Sequence, residues 1–230
     1  MGGIEEVVVT AQKREQSLQD TPIALTAITA STIDDLDIKN VVDMAGISPN
    51  VMLVETPSNN TSATIAMRGG VTINPAITWE PTVGVYLDGV YLGKTQGAIF
   101  DVVDLERVEI LRGPQGTLYG RNTLGGAINL ISQRPNGSGV ETKLTLGNYG
   151  LTQAQFTTDF EIADGTYGKL VVNSKERDGY VHNAPGPYGG AQGVVPSADP
   201  TVNELDTINS HGFRFTIARD TDNSSFDLSV

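Results

Sequence analysis

Residues 104–135, DLERVEILRGPQGTLYGRNTLGGAINLISQRP, constrain the fold more than any other stretch of this 230-residue chain. Arg107–Val108–Glu109–Ile110–Leu111–Arg112 alternates in the manner of a strand. The run breaks at Gly113–Pro114, because proline has no N–H to offer a ladder. A short polar turn follows, and Gly125–Gly126 opens a second apolar strand, Ala127 to Ser132, closed by Pro135. Neither nucleotide-binding pattern fits the connection. Gly120 is followed by Arg121–Asn122 rather than the Lys–Ser/Thr of a phosphate loop, and no G-x-G-x-x-G occurs.

Composition narrows the function classes. A net charge of −12 argues against nucleic acid, whose binding needs a basic surface. The absence of cysteine excludes disulfides and thiolate metal sites and fits an envelope protein. The two histidines, His182 and His211, have no metal-like spacing. No cofactor is expected. An apolar fraction of 39% suffices for one or two cores, and 26 glycines with 11 prolines favour many short strands. No apolar run reaches the length of about 18 residues that a membrane helix needs. Met1–Gly2–Gly3 is followed at once by Glu5–Glu6, so no secretory signal is read, and the chain is expected to start after processing. No nucleophile elbow, H-E-x-x-H or calcium loop is present, and DTDNS (220–224) reads as a solvated turn, so an enzyme is not expected.

Taken in order, Ile4 to Ala11 (IEEVVVTA) favours an extended conformation, and its polar flanks, including Gln12 to Asp20, are expected to be mobile. Ile23 to Ala30 reads as a strand. Ser31–Thr32 are expected to cap an acidic helix running to Lys39, with Asp34, Asp35 and Asp37 complementing its dipole. A second short helix covers Val41 to Ala45. Val51 to Glu55 and Ala63 to Met67 pair across the polar loop TPSNNTS, and Arg68–Gly69–Gly70 follows. After the loop TINPAITWEP, Val83 to Leu87 and Val90 to Leu92 form a hairpin around Asp88–Gly89, a type I′ signal. Ile99 to Leu105 reads as a short amphipathic helix. The whole is an α+β domain with a small, mixed, mostly antiparallel sheet.

Beyond Pro135 the pattern becomes strict alternation. Val140, Thr142, Leu144 and Leu146 share one face of a strand, and Ala154, Phe156, Thr158, Phe160 and Ile162 share a face of the next. Tyr167 to Lys175, Phe213 to Ile217 and Phe226 to Val230 continue the series. Strands of about 9–11 alternating residues suit a transmembrane barrel, though a soluble sandwich alternates likewise. Short connections (163–165, 220–224) and one long one (177–206) match the short turns and long loops of such barrels. Four or five strands cannot close a barrel, which starts at about eight, so the chain is expected to be a fragment.

The segments MRGG, VGVYLDGVYLG, LERVEILRGPQGTLYG and GGAINLISQRP, in this order, resemble the plug domain of TonB-dependent outer-membrane receptors from about Glu5 to Pro135. The resemblance implies a mobile N-terminal segment (1–20), a plug (21–135) and the first four to five antiparallel strands of a truncated transmembrane β-barrel (136–230). It makes Glu5, Glu6, Val7, Val8, Val9 and Thr10 a TonB-box-like strand for a periplasmic TonB-type energy-coupling protein, although the same residues suit an ordinary first strand. A short unpaired strand can add to a partner's sheet edge through main-chain bonds. It implies that Arg68 and Arg112, joined by Glu109, meet carboxylates on the barrel wall. It places ligand contacts in the outward loops, at Asn59, Asn60, Asn74, Trp79, Tyr91 and Gln96, with Trp79 equally suited to packing its own loop. The expected setting is the Gram-negative outer membrane, in contact with its lipid once the barrel is complete. The expected cargo is an iron-siderophore, with cobalamin-like or carbohydrate cargo, or a soluble plug-like binding module without transport, as alternatives.

Overall fold

The computed structural model describes residues 7–56, 59–72, 79–93, 103–182, 204–205, 207–221 and 224–230. It divides into two compact units, Met1–Gln133 and Arg134–Val230.

In the first unit the chain forms β1 (Val8–Val9), β2 (Gln16–Ser17), β3 (Leu25–Thr29), α1 (Ala30–Asp35), β4 (Val51–Thr56), β5 (Asn59–Met67), β6 (Gly70–Val71), β7 (Val83–Leu87), β8 (Val90–Tyr91), β9 (Leu105–Arg112), α2 (Gly116–Tyr119) and β10 (Gly126–Ser132). The main sheet has the order β3-β9-β10-β7-β8, antiparallel except for the parallel pair β10–β7. A second sheet runs β4-β5-β6. Because side chains alternate across a pleat, β9 and β10 send Val108, Ile110, Ile128 and Leu130 into one core, with Ile28, Val83, Val85, Met44, Leu53 and Met67. Their opposite face carries Arg107, Glu109, Leu111, Ala127 and Asn129, and it is covered too. Strand β9 is therefore buried on both sides, although most of the residues on that second face are polar.

Several local expectations are corrected. Gln12 to Asp20 is built into the fold: β2 pairs antiparallel with β1, and Leu18–Asp20 forms a 3₁₀ turn. Helix α1 starts and stops earlier than its acidic residues suggest. Its cap is Thr29, whose hydroxyl accepts from the Thr32 N–H, and Asp34 and Asp35 lie in its last turn rather than its first. Asp37, at φ 50°, then reverses the chain, so that Ile38 N–H donates to Ile33 O and Asp37 N–H to Asp34 O. That double bond is a Schellman closure, and its apolar partners Ile33 and Ile38 both enter the core. The next turn, Val41–Met44, is 3₁₀ and closed by a capping box between Asn40 and Asp43. Strands β4 and β5 extend into TPSNNTS, so Asn59 and Asn60 belong to a strand. The expected helix at Ile99 to Leu105 lies outside the described residues except at its end, where Leu105 begins β9. The polar turn after Pro114 contains the helical turn α2.

The Asp88–Gly89 turn has positive φ at both residues, 49° and 81°, as type I′ requires. Asp88 also accepts from the N–H and hydroxyl of Ser132, tying the hairpin to the end of β10. Gly126 answers to a close approach. Its φ is 154°, and a Cβ there would run into the Leu111 carbonyl oxygen and the Met67 sulfur.

The second unit continues with β11 (Ser138–Leu146), β12 (Thr152–Ala163), β13 (Thr166–Arg177), β14 (Val181–His182), β15 (Glu204–Leu205), β16 (Ile208–Thr221) and β17 (Ser224–Ser229). Strands β11-β12-β13-β16-β17 make one open antiparallel sheet, and β14–β15 a short separate ladder. Its polarity is inverted relative to a water-soluble sheet. Val140 (72% accessible), Leu144, Phe156, Phe160, Val172, Phe213, Phe226 and Leu228 line the exposed face. Thr157, Lys169 (2%), Val171, Thr216 and Ala218 form the buried row. Lys169 sits opposite Asp159 in the ladder, with 3.6 Å between their charges. Arg134 donates to Asp220 and Asp227. Apolar outside and ion-paired inside is the arrangement that lipid demands of a strand.

Candidate functional site

The candidate site lies on the second face of the main sheet, where the N-terminal strap crosses it. The strap consists of β1, a turn and β2. The Lys13 N–H donates to Thr10 O at 2.8 Å, and Leu18 N–H to Val7 O at 2.9 Å. Val9 and Ala11 are fully buried.

No backbone ladder joins the turn of the strap to the sheet among the described residues; it is held by side chains. Glu109, 0% exposed, projects from β9, and its Oε1 accepts from Thr10 N–H at 2.7 Å, Thr10 Oγ1 at 3.2 Å and Arg107 Nε at 2.9 Å. Arg107 Nη2 in turn donates to Thr10 Oγ1 at 3.2 Å, and its Nη1 pairs with Glu106. One residue further, Tyr119 Oη donates to Ala11 O at 2.9 Å and accepts from Asn129 Nδ2 at 2.7 Å. Asn129 also faces Glu109 Oε2 at 3.5 Å, and Lys13 Nζ lies 5.0 Å from the Tyr119 ring centre. Tyr86 packs edge-on to Tyr119 and donates to its carbonyl at 2.7 Å. A buried carboxylate that accepts several donors is the affordable form of a buried charge. Burial pushes the Tyr119 hydroxyl pKa up; the Asn129 bond opposes this, and the charges of Glu109 and Tyr86 add to it. Tyr86 is raised for the same leading reason.

The expected site residues fall into separate places. Glu5 and Glu6 lie outside the described residues. Val7 to Thr10 is present, but Val8 and Val9 are paired with Ser17 and Gln16, so the strand that the sequence suggests is unpaired has a partner inside its own chain. Arg68 and Arg112 converge on one spot. Arg68, at φ 49°, takes its N–H to Asn50 O, and its guanidinium fills the space beside Gly113 that a Cβ would need. Arg112 Nη1 reaches Pro49 O at 3.4 Å, its Nε has no hydrogen-bond partner, and neither arginine has an ion-pair partner among the described residues. Glu109 stands apart from them, engaged with Thr10, Arg107 and Asn129. Of the suggested ligand residues, Asn74 and Gln96 lie outside the described residues, as do the side chains of Asn59 and Asn60. Trp79 is exposed. Tyr91 packs on Tyr86 at 5.3 Å and accepts from Asn122 Nδ2, so it belongs with the tyrosine cluster. Among the described residues no group of three His, Asp or Glu side chains is placed to hold a metal ion.

Sequence reasoning missed Arg107 and Tyr119 as partners of the N-terminal strap, and Asn129 as the residue that braces Glu109 and Tyr119. The available signal was polarity out of place: Arg107, Glu109 and Asn129 are polar residues within two largely buried strands.

Known proteins share the fold. Residues 17–127 match the family model of the TonB-dependent receptor plug domain. The vitamin B12 transporter BtuB of Vibrio vulnificus is 29% identical over 181 residues, covering 76% of this chain and 28% of that protein. The pesticin receptor of Yersinia pestis is 30% identical over 186 residues, covering 77% and 26%. The crystal structure of the ferric yersiniabactin uptake receptor FyuA from Yersinia pestis superposes with a TM-score of 0.71 at 24% identity, covering 90% of this chain and 31% of that one. The chain thus spans about a quarter of the length of these curated relatives. A plug-family match that ends at β10, followed by strands apolar on their exposed face, makes this chain a member of the TonB-dependent outer-membrane receptors, carrying their plug and the opening strands of their barrel.

Proposed function

We propose that this protein takes part in energy-coupled uptake of a scarce solute across the outer membrane, with an iron-siderophore as cargo. The observation that carries the reading is the strap. An N-terminal segment held on the sheet by side-chain hydrogen bonds is suited to being withdrawn without dismantling the sheet itself. Its first strand, once detached from β2, offers main-chain donors and acceptors to the edge of a partner sheet, so the partner is a TonB-type coupling protein engaging Val7 to Thr10. Arg68 and Arg112, without carboxylate partners among the described residues, are suited to carboxylates of a complete barrel wall. Breaking such a partly desolvated pair costs roughly 3–5 kcal/mol, so neutralising both arginines loosens plug retention in the complete receptor.

The siderophore assignment draws on the relative named for ferric yersiniabactin uptake. The similar identity of a relative named as a vitamin B12 transporter favours cobalamin as the second reading. Uptake of radiolabelled ferric siderophores and of cyanocobalamin, by cells whose only such receptor is the complete protein, tests it. Energy-dependent accumulation of a ferric chelate is the expected result. Accumulation of cyanocobalamin alone replaces the cargo assignment, and accumulation of neither overturns the siderophore reading. Cysteine crosslinking from Val7 to the coupling protein, strengthened by cargo, tests the partner.

A further inference from the structure

We infer that Glu109 and Tyr119 form a catch that sets when the N-terminal strap leaves the plug, and that this catch re-engages on its own once the pull ends. The inference deepens the coupling reading and rests on it for its role in transport, but the catch itself is a property of the fold.

Its two jaws grip adjacent residues by main-chain atoms. Glu109 Oε1 accepts from the Thr10 N–H, and the Tyr119 hydroxyl donates a hydrogen bond to the Ala11 carbonyl. The grip therefore tolerates changes in the strap's side chains, Thr10 Oγ1 excepted, and depends on the side chains of the sheet. Each jaw is itself braced. Arg107 and Asn129 hold the Glu109 carboxylate, and Asn129 and the Tyr86–Tyr119 packing hold the phenol. A pull entering at Val7 meets the two-residue β1–β2 ladder first, then Thr10, then Ala11. When the strap lifts, Glu109 loses two of the three donors on Oε1 but keeps Arg107, so the carboxylate stays aimed and paired. Leu111, Tyr119 and Ala127, a small apolar cluster that includes Ala11, lose part of their cover. Both effects favour the strap's return: a directed charge waiting for its N–H, and an apolar patch waiting for Ala11.

The strap's opening is read directly by hydrogen exchange at the Thr10 amide in the complete receptor, in detergent and without coupling protein. Glu109→Gln weakens one jaw, and Tyr119→Phe removes the other while keeping the ring. Each is expected to speed Thr10 exchange about tenfold, with the Ile110 and Ile128 amides unchanged. Ile28→Val, a change in the opposite core, should leave Thr10 at the wild-type rate. Wild-type Thr10 rates in both catch variants with the core amides intact overturn the inference. So does equal acceleration by Ile28→Val, which would make Thr10 a reporter of general stability. A second reading uses the Val7 crosslink: catch variants should form it without cargo. A wild-type receptor that never crosslinks, even with cargo, removes the coupling reading while the exchange result stands by itself.

Discussion

Replacing Gly126 with alanine isolates what the double glycine after α2 does. At φ 154° an L-residue is strained by about 1–3 kcal/mol. The added methyl also meets the Leu111 carbonyl oxygen, which is fixed on the neighbouring strand, and the sulfur of the fully buried Met67. Overpacking of that kind costs about 1–3 kcal/mol. The sum, about 2–6 kcal/mol, is a large share of the roughly 5–15 kcal/mol that holds a domain together. Gly46→Ala supplies the comparison, because Gly46 also has positive φ (89°) but nothing within 4 Å of its Cβ position, so it isolates the strain at about 1–2 kcal/mol. Amide exchange of Ile110 and Ile128, paired across β9 and β10, measures both in the complete receptor. About 4 kcal/mol corresponds to exchange roughly a thousandfold faster. If Gly126→Ala opens these strands no more than Gly46→Ala does, the close approach of Met67 and Leu111 is not what the glycine serves, and the packing argument fails.

Other perturbations address single contacts. Asn40→Ala removes the acceptor for the Val42 and Asp43 amides and should cost about 1 kcal/mol, seen as faster exchange in Val41–Met44 with the main sheet unaffected. Burial raises the pKa of Tyr119 above its ordinary 10.0, so the unfolded chain loses that proton first. The stability that the phenol contributes is complete below pH 10.0 and lost as pH rises through the folded value. Tyr119→Phe should flatten the alkaline limb of a stability-against-pH curve, and an unchanged limb would count against the burial argument. Phe156→Arg, on the exposed apolar row of β12, should cost about 2–4 kcal/mol of membrane stability if it lies at the bilayer midplane. Gln155→Arg, one residue away on the other face, should be tolerated; heat-modifiable gel mobility of the complete receptor reads both.

Much of the fold was legible because it is local. Period-two alternation marks β9, β10 and β11 to β13, since a pleat forces neighbouring side chains to opposite faces. Asp88–Gly89 names its own turn, because few residue pairs accept positive φ twice. Helix α1 was misjudged by length and cap because Thr29, Ser31 and Thr32 are all able to cap, and only the position of the Ile33–Ile38 apolar closure selects among them. The strap was misjudged for a different reason. A valine-rich strand with polar flanks looks unpaired when its partners are a two-residue strand and a carboxylate 99 positions away.

By itself the sequence determined the longer strands, the Asp88–Gly89 turn, the plug motifs and the period-two alternation of the second sheet, all of which depend on residues within a few positions of one another. Which face of that sheet is exposed came from the structure. Only the tertiary structure decided where the polar residues of β9 and β10 are spent. Glu109 could have faced solvent, a barrel wall or another strand with the same neighbours in sequence. It is the crossing of the strap over the second face of the sheet that brings Thr10 to it. A buried carboxylate takes the donors that the fold delivers, and no local pattern encodes that delivery.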